Sequence, residues 1–156
     1  MGHPTTTTVT ADSLQQRFSA AAVLLQDTAR AWRLKLDQRL RPLGLSQAKW
    51  RTLVLVNRAG DGVTQKHLAD LMGIEGPTLV RLLDRLEADG WVERHVCARD
   101  RRNRRIHLSA KARDMLVRIE SVATGLRTEL LSDVNTDDLE TFDRVLRQIH
   151  TRLDAV

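Results

Sequence analysis

The stretch RHVCARDRRNRR, Arg94 to Arg105, carries six arginines in twelve positions and a single acid, Asp100. Trp91 and Val92 lie just before it and Ile106 and Leu108 just after it, two short apolar steps of strand character. In an open segment so dense a charge block reads as a solvated tail or linker. Between two strands, here expected at about 91–96 and 104–108, it is instead held on a hairpin. Arginines fixed on a protruding hairpin suit phosphates or a narrow, strongly negative groove. Arg101 and Arg102 are placed for groove entry, and Arg99 and Arg104 for the flanking phosphates. Asp100 is expected to pair with a neighbouring arginine and orient the turn. A merely solvated hairpin is the alternative.

The rest of the chain is organised around this element. Its 156 residues correspond to one domain, with 42% hydrophobic residues to build a core and 29% charged. The net charge of +5 is unevenly spread. Residues 49–113 carry fourteen basic and eight acidic side chains, whereas residues 114–156 carry five and nine. A basic middle with an acidic end suits a protein that turns one face to a polyanion. One cysteine, Cys97, excludes an intramolecular disulfide and a multi-thiolate zinc site. No apolar run reaches the roughly 20 residues needed to span a bilayer. The start, MGHPTTTTVTADS, lacks a signal-peptide layout and reads as a disordered lead over residues 1–14. A cytoplasmic protein without a membrane contact is expected.

Apolar spacing gives the remaining elements. Phe18, Ala22, Leu25, Ala29, Trp32, Leu36 and Leu40 form one stripe on a long helix that Pro42 and Gly44 end. Ser46 caps a second helix over 46–58, and Thr64 a short third one holding Leu68, Ala69, Leu71 and Met72. After Gly73, Pro77 sits in the first turn of a fourth helix, whose Leu79, Leu82, Leu83 and Leu86 share a face. Ser109 caps a fifth helix over 110–131, and a sixth runs over 137–153 with Leu139, Phe142, Leu146, Ile149 and Leu153 in a stripe.

The expected fold is therefore mainly α, a winged helix-turn-helix in the order α-α-α-α-β-β-α-α. Residues 15–45 and 110–156 are expected to form a dimerisation region and residues 46–109 the DNA-binding unit. The first and last helices carry stripes that a monomer of this size has little core to bury, and pairing across a two-fold axis would cover them. A monomer whose two ends pack on each other is the alternative.

With four leucines facing inward, the fourth helix presents Thr78, Arg81, Asp84 and Arg85 outward. A recognition helix meets base edges with its N-terminal residues, and arginine reads guanine bidentately in the major groove. Pro77 and Gly76 permit close backbone approach. An ordinary solvated helix face is the bland alternative.

The segment Gly73 to Ala112, GIEGPTLVRLLDRLEADGWVERHVCARDRRNRRIHLSAKA, resembles the MarR family of bacterial regulators, and within it the SlyA-like branch. The family's wing signature, Asp-x-Arg followed by a strand and a Leu-Ser or Leu-Thr step, is met by Asp100-Arg101-Arg102 and Leu108-Ser109. AWRLKLDQRLRPLGLSQAKW, Ala31 to Trp50, is similar to the same branch. The resemblance implies a homodimeric transcription factor, a repressor or an anti-silencing activator, on a pseudo-palindromic operator in double-stranded DNA. It implies base contacts from Arg81 and the residues around Pro77 and Thr78, minor-groove entry by Arg101, and pairing of Arg102 with Asp100. It further implies that a small aromatic carboxylate such as salicylate binds near Arg30, Trp32 and Trp50 and releases the DNA. A histidine common in the SlyA-like branch four residues after the second tryptophan is replaced by Val54.

Other chemistry is sparse. His3, His67, His95, His107 and His150 are scattered without a metal-binding spacing. Cys97 reads either as a small residue filling a strand end or as a thiol that nearby arginines activate. No phosphate loop, nucleophile elbow or carboxylate pair is present, so neither an enzyme nor a cofactor is expected. A non-specific architectural nucleic-acid binder, using the same arginines for phosphates alone, is the competing function.

Overall fold

A computed structural model describes residues 11–97 and 100–155, and for Ala11, Cys97 and residues 100–103 the backbone only. The chain runs through α1 (Ala11–Leu40), a 3-10 turn (Arg41–Leu43), α2 (Gln47–Ala59), β1 (Val63–Thr64), α3 (Gln65–Met72), α4 (Gly76–Ala88), β2 (Val92–Cys97), β3 (Asp100–Leu108), α5 (Ala110–Leu131) and α6 (Thr136–Leu153). This is the winged helix expected from the sequence, with three departures.

The first helix starts at Ala11, so residues 11–14 of the expected disordered lead are helical; Asp12 in the first turn complements the helix dipole there. Residues 1–10 lie outside the described residues. A two-residue strand, β1, joins the sheet in the order β1-β3-β2. Two residues are too few to show an alternating pattern, which is why the sequence does not disclose it. Finally, β3 begins at Asp100 rather than at 104. The regular ladder nonetheless ends where the sequence puts it, at Val96↔Arg104, before an irregularity between Val96 and Cys97. Arg101, Arg102, Arg104 and Arg105 are thus all strand residues rather than turn residues.

Caps explain where the helices begin. Ser46, Thr64 and Ser109 each accept a hydrogen bond from the backbone N–H three residues on, at Lys49, His67 and Ala112. Asn135 does the same for α6 through Asp138. Gly73 closes α3 in the left-handed region at φ 65°, where a side chain would be strained, and its N–H returns to Ala69 and Asp70. That tight stop lets α4 start three residues later.

The core sits under α4. Leu79, Leu82, Leu83 and Leu86 are buried with Leu53, Val56, Leu68, Met72, Val92, Ile106 and Leu108. Trp91 is buried at the base of the hairpin with Lys111 Nζ 4.1 Å and Lys49 Nζ 5.2 Å from its ring centre, a cation–π arrangement that ties the wing to α5 and α2. By contrast, α6 buries none of its residues within the chain. Among the described residues, no helix is long and apolar enough to cross a membrane.

Leu83 is fully buried at the centre of this packing. Leu83→Ala is expected to lower stability by about 2–5 kcal/mol, from lost transfer energy and the cavity left behind. Urea unfolding monitored by circular dichroism measures it.

Candidate nucleic-acid interface

The leucine stripe fixes how α4 is presented. Its four buried leucines face the core, so Pro77, Thr78, Arg81, Asp84 and Arg85 all fall on the exposed side. Glu75 precedes the helix without a side-chain cap, and the proline falls in the first turn, where a missing N–H costs little. Among the described residues Arg81 and Arg85 make no ion pair, which leaves both guanidinium groups available to a ligand.

Asp84 is different. Arg94, on β2, reaches across to it, with Nη2 2.7 Å from Asp84 Oδ1. The same guanidinium donates twice to Glu87 Oε2, from Nε at 2.9 Å and Nη2 at 2.5 Å. The Arg94 side chain is only 12% exposed. The hydrogen bond from Arg94 holds the Glu87 carboxyl below its ordinary value, against a desolvation that pushes it up. Glu87 in turn raises the affinity of Arg94 for its proton. Sequence reasoning did not single out Arg94 for this position. The signal was available in the alternation Val92, Arg94, Val96, which puts it on the inward face of the wing.

Between α3, α4 and the wing lies an open groove of about 780 Å³, with Lys66, Val80, Arg94 and Arg104 among its walls. Arg104 stands exposed opposite Val96 at the end of the regular ladder. Arg99 lies outside the described residues, as do the side chains of Arg101, Arg102, Asp100 and Cys97. The backbone of Arg101 and Arg102 continues β3 beyond Arg104 and therefore places both at the outer end of the hairpin.

The opposite face of the sheet anchors the wing to the loop before β1. Asp61 accepts from Leu108 N–H at 3.0 Å and from Arg113 Nη2 at 2.7 Å, and lies 3.5 Å from His107 Nδ1. Arg105 donates to the Gly62 carbonyl at 2.9 Å. His107 packs over Gly62 so closely that an added Cβ would come within 3.0 Å of its ring, at a φ of +91°. The His107 ring also stacks on His95 at 4.6 Å. Among the described residues no cluster of three or more His, Cys, Asp or Glu could hold a metal ion.

A second cleft, of about 370 Å³, opens between α1, α2 and α5. Trp32 and Trp50 line it together. Trp50 is buried and donates from Nε1 to Asp37 Oδ1 at 3.3 Å. Arg30 does not line this cleft; it pairs with Asp27 one turn away at 3.3 Å. The basic groups at the cleft are Arg33, Arg51, Arg58 and Arg127, the last held by Glu120 at 2.8 Å. Sequence reasoning missed these four, because they converge from three helices far apart in the chain.

The MarR family model matches residues 43–103, which span α2 to the wing. The transcriptional regulator PA3341 is 42% identical over 86% of this chain and 98% of its own, and its crystal structure superposes with a TM-score of 0.77. The chain belongs to the MarR family. It thus falls among winged-helix transcriptional regulators. Apo wild-type MarR from E. coli, 23% identical over 82% of this chain and 94% of its own, shares the fold with a TM-score of 0.72. A MepR variant from S. aureus bound to an oligodeoxyribonucleotide is 25% identical over 85% of this chain and 97% of its own, with a TM-score of 0.58.

Asp61 links the family fold to pH. Burial raises its carboxyl, but the Arg113 hydrogen bond, the Leu108 N–H and the charges of Arg113 and His107 outweigh this and leave it below its ordinary 3.8. A depressed carboxyl stabilises the fold above its unfolded value, and that contribution is lost as pH falls through the lower folded value. Asp61→Asn is therefore expected to melt below the parent protein at pH 7, with the gap closing below roughly pH 4. Thermal melts across that range check it.

Proposed function

We propose that this MarR family protein is a homodimeric, sequence-specific regulator that binds a pseudo-palindromic operator in double-stranded DNA. The observation that carries the reading is Arg81, exposed and without an ion pair among the described residues, one turn into a helix whose opposite face is buried. In the major groove its guanidinium would address guanine O6 and N7, with Thr78 and Pro77 against the neighbouring backbone and Arg85 toward phosphate. On the wing, Arg101 and Arg102 would reach the minor groove or pair with Asp100, and Arg99 and Arg104 would meet flanking phosphates. Bound over a promoter, such a dimer represses by excluding polymerase, or activates by displacing a silencing protein.

The exposed stripe of α6 supports the dimer. Phe142 is 53% and Leu153 70% exposed in the single chain, and Phe18 on α1 is 58% exposed. A second copy pairing these ends would cover them and place two recognition helices on one side of the assembly. Half-sites would then be spaced by about one helical turn, roughly 10 base pairs, or a multiple of it.

The Trp32–Trp50 cleft touches both the end helices and the DNA-binding unit, so a ligand there could bias how they are arranged. Aromatic walls with Arg33, Arg51 and Arg58 suit a small aromatic carboxylate. Such a ligand weakens DNA binding only if it prefers the arrangement that cannot fit the operator.

Selection of bound duplexes from a random pool should yield a palindrome. Arg81→Ala is expected to cost roughly 1–3 kcal/mol on that sequence and to relax preference at one position per half-site. Equal losses on selected and random DNA would favour an architectural binder that recognises phosphates alone. Phe142→Asp is expected to convert a dimer into a monomer in sedimentation at micromolar concentration and to abolish operator binding. Salicylate at saturation is expected to lower operator affinity, and Arg51→Ala to blunt that response; unchanged affinity would remove the effector from the proposal.

A further inference from the structure

The recognition helix and the wing meet at one guanidinium. Arg94 rises from β2 opposite Ile106, on the inward face of the hairpin. Because β2 is the outer strand of the sheet, its free edge has no partner strand among the described residues. The Arg94 backbone N–H on that edge is taken up by Glu87 Oε1 of α4 at 3.1 Å. Its side chain holds Glu87 Oε2 and Asp84 Oδ1 at the same time. Glu87 therefore grips both the main chain and the side chain of one strand residue. Among the described residues Arg104 also bears on this cluster, its field favouring the ionised form of Glu87, and Lys66, Asp70 and Glu75 line the same groove.

We propose that Arg94 is a positioning residue for DNA recognition, locking the wing to α4 through Glu87 and Asp84 so that both address the duplex as one rigid body. It rests on the DNA-binding function proposed above. The same geometry assigns Asp84 a role different from its place on the exposed face. Its carboxylate is committed to Arg94 and does not read a base.

The mechanical consequence follows from strand length. At about 3.3 Å per residue, Cys97 stands roughly 10 Å beyond Arg94. A rocking of about 10° at the base would then move the outer end of the wing by roughly 2 Å, enough to break a hydrogen bond whose distance tolerance is a few tenths of an ångström. The fork geometry matters, because a guanidinium can satisfy two carboxylates in fixed directions and an ammonium cannot.

Three variants test this: Arg94→Lys, Glu87→Gln and the milder Asp84→Asn, which leaves the Glu87 grip intact. In hydrogen exchange on the DNA-free protein, amides of β2 and β3 should exchange about tenfold faster in the first two variants and less so in Asp84→Asn, with α4 amides unchanged. The second measurement compares a duplex selected from a random pool with the same duplex shortened to remove the flanks under the wings. The parent protein should prefer the longer duplex, and Arg94→Lys should erase about tenfold of that preference while binding the short duplex as before. Unchanged hairpin exchange, or equal losses on both duplexes, would overturn the proposal. Faster hairpin exchange in a protein that binds neither duplex would uphold the anchor and overturn the DNA-binding function instead.

Discussion

Burial of the α4 leucines is the constraint on which the rest depends. Leu79 and Leu83 are fully buried, with Leu82 and Leu86 nearly so, and they are packed by α2, α3 and both long strands. Once that face is committed to the core, helical geometry leaves Thr78, Arg81 and Arg85 no direction but outward. The presentation of the proposed DNA-facing surface is thus a by-product of core packing. It needs no polar interaction to hold it, and the arginines remain available to a partner.

The wing obeys a different logic. A hairpin with six arginines in and beside it repels itself, and the sequence from Ala98 to Asn103 offers almost no apolar residues to hold it down. Its base is accordingly fastened on each side: Trp91 between two lysines, Asp61 collecting Leu108, Arg113 and His107, and Arg94 gripping α4. These attachments are mostly charge-assisted hydrogen bonds, which are directional, so they set an angle as well as a distance. Hydrophobic burial holds α4 in place, whereas polar contacts aim the hairpin.

The end helices complete the pattern. Although α5 packs onto the core through Ala112 and Ile119, α6 contributes nothing to it. An amphipathic helix with its apolar stripe in water is unstable alone, since most helical stability in proteins comes from packing that face. The stripe thus argues for a second copy on the same grounds that the α4 stripe argues for the core. The Trp32–Trp50 cleft lies between α1, α2 and α5, which is why it is the place proposed for a ligand that biases how these helices are arranged.

What the sequence determined by itself was whatever local periodicity and local chemistry encode. Helix stripes, the Ser46, Thr64 and Ser109 caps, the ladder ending at Val96 and Arg104, and the outward set of α4 all depend on neighbours within a few residues. The tertiary structure alone decided what depends on distant partners. The two-residue β1 exists only because β3 is there to pair with it. Asp84 faces outward by periodicity, yet it is claimed by Arg94 from the next element. Arg30, expected beside the tryptophans, turns to Asp27, while Arg33, Arg51, Arg58 and Arg127 reach the cleft from three helices. A long, flexible, charged side chain leaves its direction open to whichever opposite charge the fold brings near, and no spacing rule along the chain records that choice.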